Sequence, residues 1–218
     1  MYLIVNFKQN LNIAEYRHDV SELSKFLKNQ RLGIDLILCP PFPYLMLFKN
    51  ELGSYERVFI GAQDVSSYKE GSHTGGVSAS HLEGIVDYCI VNHSETIPED
   101  ILVGSELKEK LSHLAEHKIH PIICLKGYDP RSVGIPVKDS TLIAFEDPTH
   151  IGKSEASSST DIENFYKKFT IKPKLLYGGS VSLDNINSLM DSKFLSGFLV
   201  SSYALKVENL IRLIKSSI

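Results

Sequence analysis

The sequence predicts an α/β protein folded as one closed (β/α)8 barrel, a single domain over residues 1–218. Three observations carry this. Eight short apolar runs alternate with helical or connecting segments along the chain. The runs lack polar alternation, so each reads as a strand buried on both faces, as in a parallel sheet covered by helices. No linker or shift of composition interrupts the alternation, which fits one closed barrel. A doubly wound open sheet is the competing arrangement, but no Gly-rich dinucleotide fingerprint follows the first strand.

In chain order, Tyr2 to Phe7 is the first apolar run, and Ala14 to Lys28 has helical spacing in Val20, Leu23, Phe26 and Leu27. The strand Ile34 to Cys39, the turn PPFP and a short helix near Tyr44 to Leu52 follow. Val58 to Gln63 is the third strand, then a long polar loop, a short helix Ala79 to Gly84 and the strand Tyr88 to Asn92. Asp100 to His117 is helical in spacing, and HPIICL is the fifth strand. After the short irregular segment Gly127 to Asp139 come TLIAF, a helix Ser158 to Phe169 and the strand LLY. A Gly-Gly turn, a helix Leu183 to Asp191, the strand GFLV and a helix Leu205 to Ser216 complete the chain.

The chain is 43% hydrophobic and 22% charged, ordinary for a globular domain, and its net charge of -3 favours neither nucleic acid nor an anionic membrane as partner. The start, MYLIVNFKQN, is too quickly polar for a signal peptide, and no apolar run reaches transmembrane length. Cys39, Cys89 and Cys124 each lie inside an apolar run and match no zinc spacing. They read as reduced core residues of a cytoplasmic protein.

The stretch STLIAFEDPTHIGKS at 140–154 organises the rest. A short apolar run delivers Glu146 at its end, followed by a loop able to close. That suits a general base working away from water. Other reactive residues also fall at the carboxyl ends of strands, where a barrel carries its site. Asn6 and Lys8 end the first strand, His93 and Glu95 the fourth, Gly178, Gly179 and Ser180 the seventh, and Ser201 and Ser202 the eighth. The Gly-Gly-Ser turn and the two serines offer backbone N–H groups and hydroxyls to an anion, and Gly152 could add another N–H. With no metal-ligand cluster and no cofactor motif, the set suits proton abstraction next to a carbonyl in a small phosphorylated substrate.

NFKQN at 6–10, GAQDVSSYKEGSHTGGVS at 61–78, IVNHSE at 90–95, PIICL at 121–125, IAFEDPTHIGKS at 143–154, YGGSVS at 177–182 and GFLVSSYALK at 197–206 together resemble triosephosphate isomerase. The matches keep family order over nearly the whole chain. The short length, the GSHTG loop and Asn92 in NHSE resemble compact, archaeal-type members. The resemblance implies a TIM barrel that interconverts dihydroxyacetone phosphate and glyceraldehyde 3-phosphate without a cofactor. Glu146 would be the base and His93 a neutral electrophile, in a family that is itself the standard case of such tuning. Lys8 would offset the substrate's charge, Glu95 would hold Lys8, and Asn6 would position the substrate. Asp147 to Ser154, with Ile151 and Gly152, would form a lid over the phosphate. The loop Ser66 to Gly76 would insert Thr74 into a neighbouring subunit, making a homodimer or a dimer-based tetramer. Departures from the family pattern fall at Thr96, Lys153, Ser154, Ser201, Ser202 and Gly76; none removes a catalytic group, and those in the lid and arm motivate the alternative of a catalytically weak barrel retained as a phosphate-binding or interaction protein.

Overall fold

The structure is a computed structural model that describes residues 1–97, 104–127, 134–147 and 157–217. Eight parallel strands pair in chain order: β1 (Tyr2–Asn6), β2 (Asp35–Cys39), β3 (Val58–Ala62), β4 (Tyr88–Val91), β5 (His120–Leu125), β6 (Leu142–Phe145), β7 (Lys174–Tyr177) and β8 (Leu195–Val200). β8 returns to pair with β1, with Tyr2 opposite Gly197 and Val5 opposite Val200, so the sheet closes and the open alternative is excluded. At that seam a Cβ on Gly197 would lie 2.0 Å from the carbonyl oxygen of Tyr2, so only glycine lets the two backbones meet.

Around the barrel stand α1 (Ile13–Leu27), α2 (Leu45–Leu52), α3 (Ala79–Leu82), α4 (Ser105–Glu116), α5 (Ser159–Lys167), α6 (Ile186–Met190) and α7 (Val207–Ser216). Short 3-10 turns at Phe42–Tyr44 and Ser202–Leu205 precede α2 and α7. Local chemistry fixes helix starts. Asn12 accepts from the N–H groups of Ala14 and Glu15 while the Glu15 carboxylate accepts from Asn12 N–H, and Ser158 and Asp161 repeat that exchange before α5. The expected helix from Asp100 begins at Ser105, with Gly104 as its N-cap, and residues 100–103 lie outside the described residues. Within Gly127 to Asp139, residues 134–139 form neither strand nor helix, as expected.

The core has two layers. Ile4, Ile37, Cys39, Ile90, Ile122, Cys124, Leu142, Ala144, Leu176 and Leu199 fill the barrel interior. The alternate residues of the same strands, such as Leu3, Leu38, Val91, Ile143 and Leu175, pack with the helices in a larger outer cluster. Strand side chains alternate with a period of two, so the inward phase continues from Ile4 to Asn6, Ile90 to Asn92, Ala144 to Glu146 and Leu199 to Ser201. The same alternation that packs the barrel thus lifts four polar residues over its upper mouth. All three cysteines are buried and free.

Candidate active site

The polar residues at the strand ends meet around one cleft of about 620 Å³. Asn6, Lys8, His93, Glu95, Glu146, Gly178, Gly179, Ser180, Ser201 and Ser202 all line it, together with Ser94, Asp184 and Tyr203. Ile151, Gly152, Lys153 and Ser154 of the expected lid lie outside the described residues.

Glu146 is 2% exposed. Its carboxylate accepts from the backbone N–H of Ser94 at 2.8 Å and lies 2.9 Å from Nε2 of His93. Two donors therefore hold a buried carboxylate that would otherwise be costly to keep charged. On the other ring edge, the backbone N–H of Glu95 points at Nδ1 of His93 over 3.2 Å. That amide can only donate, so Nδ1 is an acceptor and the ring proton sits on Nε2, facing Glu146. The expected turn after His93 is present as one hydrogen-bonded turn: Thr96 sends both its N–H and its hydroxyl to the His93 carbonyl at 2.9 Å. Thr96 therefore braces the histidine's own backbone.

The residue before His93 explains its placement. Asn92 has a left-handed backbone (φ 64), a conformation Asn tolerates better than most side chains. Its amide donates to the Cys124 carbonyl at 2.7 Å, anchoring the turn to β5.

Lys8 also has a left-handed backbone, φ 51, unusual for a lysine and costing about 1–2 kcal/mol. Three contacts hold it there. Its N–H donates to the Asn6 side-chain oxygen at 3.0 Å, its carbonyl accepts from Gln63 Nε2 at 3.0 Å, and its ammonium meets the Glu95 carboxylate at 2.5 Å. The Lys8–Glu95 ion pair spans the ends of β1 and β4. Gln63 had been given no role. Its side chain also reaches the Cys39 carbonyl at 2.9 Å, so it ties together the ends of β1 and β2 from the end of β3. The signal available in the sequence was its place as a polar residue closing a buried strand.

The anion end of the cleft is built from turns. Asn185 accepts from Ser182 N–H at 2.9 Å and donates to the Ser180 carbonyl at 2.7 Å, stiffening the loop after β7. A Cβ on Gly179 would lie 2.1 Å from the Tyr177 hydroxyl, so glycine is required where this loop leaves the strand. The Ser201 hydroxyl is buried with no hydrogen-bond partner, although it lines the cleft. A buried hydroxyl without a partner is costly, and a bound anion would satisfy it. Among the described residues, no group of three His, Cys, Asp or Glu side chains is placed to hold a metal.

Comparison with known proteins agrees with this arrangement. The sequence model of the family described as Triosephosphate isomerase matches residues 1–217. The chain is 27% identical to a triosephosphate isomerase of Blochmanniella floridana, covering 99% of this chain and 95% of that protein. It is 28% identical to one from Carboxydothermus hydrogenoformans, covering 100% of this chain and 98% of the relative. It is also 28% identical to one from Thermus thermophilus, covering 96% of each. The first two alignments span 248 and 249 positions against 218 residues here, so this chain is the more compact partner. A closed eight-strand barrel, a histidine and a glutamate facing each other across its mouth, and a match along the chain's length lead to one conclusion: the chain belongs to the triosephosphate isomerase family.

Proposed function

We propose that the cleft interconverts dihydroxyacetone phosphate and D-glyceraldehyde 3-phosphate through an enediolate, with Glu146 as base and His93 as electrophile. The observation that carries this is the pair of bonds to the His93 ring. With Nδ1 occupied by the Glu95 amide, Nε2–H is left to donate to the substrate carbonyl. That proton faces Glu146, whose carboxylate lies 2.9 Å from Nε2. A bound substrate takes this bond over, freeing one carboxylate oxygen to remove the proton from the adjacent carbon. The ring then polarises the carbonyl and moves protons between the two substrate oxygens.

Lys8 lies beside both groups and balances the charge that develops on the enediolate and the phosphate. Asn6 fixes the Lys8 backbone and presents its amide to the substrate. Gly178, Gly179, Ser180, Ser201 and Ser202 receive the phosphate with N–H groups and hydroxyls. Residues 147–154, including Ile151 and Gly152, cover it during turnover. Water exclusion prevents the enediolate from losing phosphate.

The enzyme works as a homo-oligomer of the cytoplasm, assembled through the loop 66–76. Thr74 is exposed at the loop's tip. The loop is shaped by Tyr68 stacked on His73 at 4.2 Å and by the Lys69–Glu116 ion pair at 2.8 Å. A second hollow of about 390 Å³, lined by Lys8, Asn10, Pro41, Tyr44 and Gln63, adjoins the cleft through Lys8. It is the seat we assign to the neighbouring subunit's loop, which would brace Lys8 from behind. The reduced state of three buried cysteines supports the cytoplasm.

A coupled assay following glyceraldehyde 3-phosphate tests the reading, with Glu146→Gln as control. Turnover by the wild type and a loss of about 10²- to 10⁴-fold in the variant is the expected result. An inactive wild type that still bound phosphoglycolate would overturn it.

A further inference from the structure

Glu146 is fixed from its N-terminal side by the sheet. Its own N–H donates to the Leu125 carbonyl at 2.9 Å, and the Phe145 carbonyl accepts from Gly178 N–H at 2.9 Å. β6 ends at Phe145, so the ladder does not hold the chain beyond the base. The residue that follows, Asp147, carries a carboxylate in a position where only 9% of its surface is exposed. Burying an acid beside the proposed base costs solvation, and a second carboxylate there raises electrostatic repulsion. A group kept at that cost needs partners.

One partner is Ser157, buried at 4% exposure, whose hydroxyl donates to Oδ2 of Asp147 at 2.8 Å. Ser157 is gripped in turn from β7. Its N–H donates to the Tyr177 oxygen at 2.7 Å, and the Tyr177 hydroxyl donates back to Ser157 Oγ at 3.1 Å. Tyr177 is fully buried, and burial, reinforced by Asp147, pushes its phenol above the usual range, keeping the proton this chain of bonds requires. Both hydroxyls in the series donate and accept, so the bonds polarise one another. Ser158, next in sequence, caps α5, which anchors the far side of the tie.

We propose that Asp147 and Ser157 are positioning residues for Glu146: their hydroxyl–carboxylate bond fastens the backbone just after the base to Tyr177 and the start of α5. The tie gives Glu146 a fixed point on each side, and its carboxylate keeps register with Ser94 N–H and His93 Nε2. Neither residue is among those that line the cleft. The inference rests on Glu146 being the base, as proposed above.

The test is a double-mutant cycle on the full chain with Asp147→Ala, Ser157→Ala and the pair, beside the conservative variants Asp147→Asn and Ser157→Thr. Folding is checked by circular dichroism and melting temperature. Each alanine variant is expected to lose about 10- to 100-fold in kcat with KM changed less than about threefold, because a displaced base slows chemistry without removing a substrate contact. The pair should be no slower than the worse single variant, since both remove one bond. Asp147→Asn and Ser157→Thr retain an acceptor and a hydroxyl, and should recover at least about a third of the wild-type kcat. Folded alanine variants with wild-type kcat, or losses that multiply in the pair, would overturn the inference. An inactive wild type would instead overturn the functional reading on which it rests.

Discussion

The main-chain N–H of Glu95 donates to Nδ1 of His93, while one oxygen of the Glu95 side chain holds the ammonium of Lys8 and the other lies 3.8 Å from that same ring nitrogen. One residue thereby sets the tautomer of His93 with an N–H that only proline would remove, and the place of Lys8 with a carboxylate that many substitutions remove. Glu95→Gln should leave the His93 proton on Nε2, visible by nitrogen-15 NMR as an unprotonated Nδ1. It should lower kcat/KM by about tenfold through a looser Lys8. The Lys8–Glu95 pair is partly exposed, so unfolding free energy should change by less than about 1 kcal/mol. Migration of the proton to Nδ1 would contradict the assignment.

Lys8→Ala tests the cation separately. Affinity for phosphoglycolate should fall by about 10²-fold or more, and its dependence on salt should flatten as the charge is lost. Calorimetric titration at two ionic strengths reads both effects. Unchanged affinity would remove Lys8 from the binding role.

Asn92 is expected to tolerate glycine better than alanine. Glycine relieves the left-handed backbone while losing the bond to the Cys124 carbonyl, and alanine loses that bond and keeps the strain. Urea unfolding should show Asn92→Ala destabilised by about 2 kcal/mol and Asn92→Gly by about 1 kcal/mol or less. The reverse order would mean that strain at this turn is negligible.

Asp19 lies buried on α1, and its pKa is raised from 3.8 to about 6, chiefly by burial, with nearby Glu208 and Glu15 adding to the rise and His18 opposing it. The folded state thus binds a proton more tightly than the unfolded state does. Stability from this group is full below pH 3.8 and declines as pH rises, until the decline ends above about 6. Asp19→Asn should gain about 1–3 kcal/mol over the wild type at pH 7, a gain that vanishes near pH 4. Urea denaturation across that range measures it, and a gain independent of pH would assign the effect to something other than the charge.

The barrel could be read from the sequence because strands buried on both faces lose polar alternation, and eight such runs leave few alternatives. The rim residues were equally legible, since His93, Lys8 and Glu146 sit in short segments that close those runs. What escaped was held by partners far apart in sequence or by atoms without a letter code. Gln63 meets Lys8 across 55 positions. Asp147 and Ser157 meet across 10 positions, and the donor to Glu146 is a main-chain N–H at Ser94, which any residue but proline could supply. Asp19 read as one of α1's polar residues, because its burial comes from packing rather than from spacing.

The seam between Gly197 and Tyr2 has a consequence for how the protein comes into being. The first strand supplies Asn6 and leads into Lys8, while the last strand leads into Ser201 and Ser202. A ribosome releasing this chain holds the two halves of the cleft apart until β8 has emerged. Until then the growing polypeptide has no closed barrel and no complete substrate seat, and the β1–β8 contacts form late because they close the longest loop of any strand pair in the barrel. Catalytic competence therefore arrives in one step, once β8 has joined β1, and a nascent fragment should depend on chaperones while its first strand lacks that neighbour.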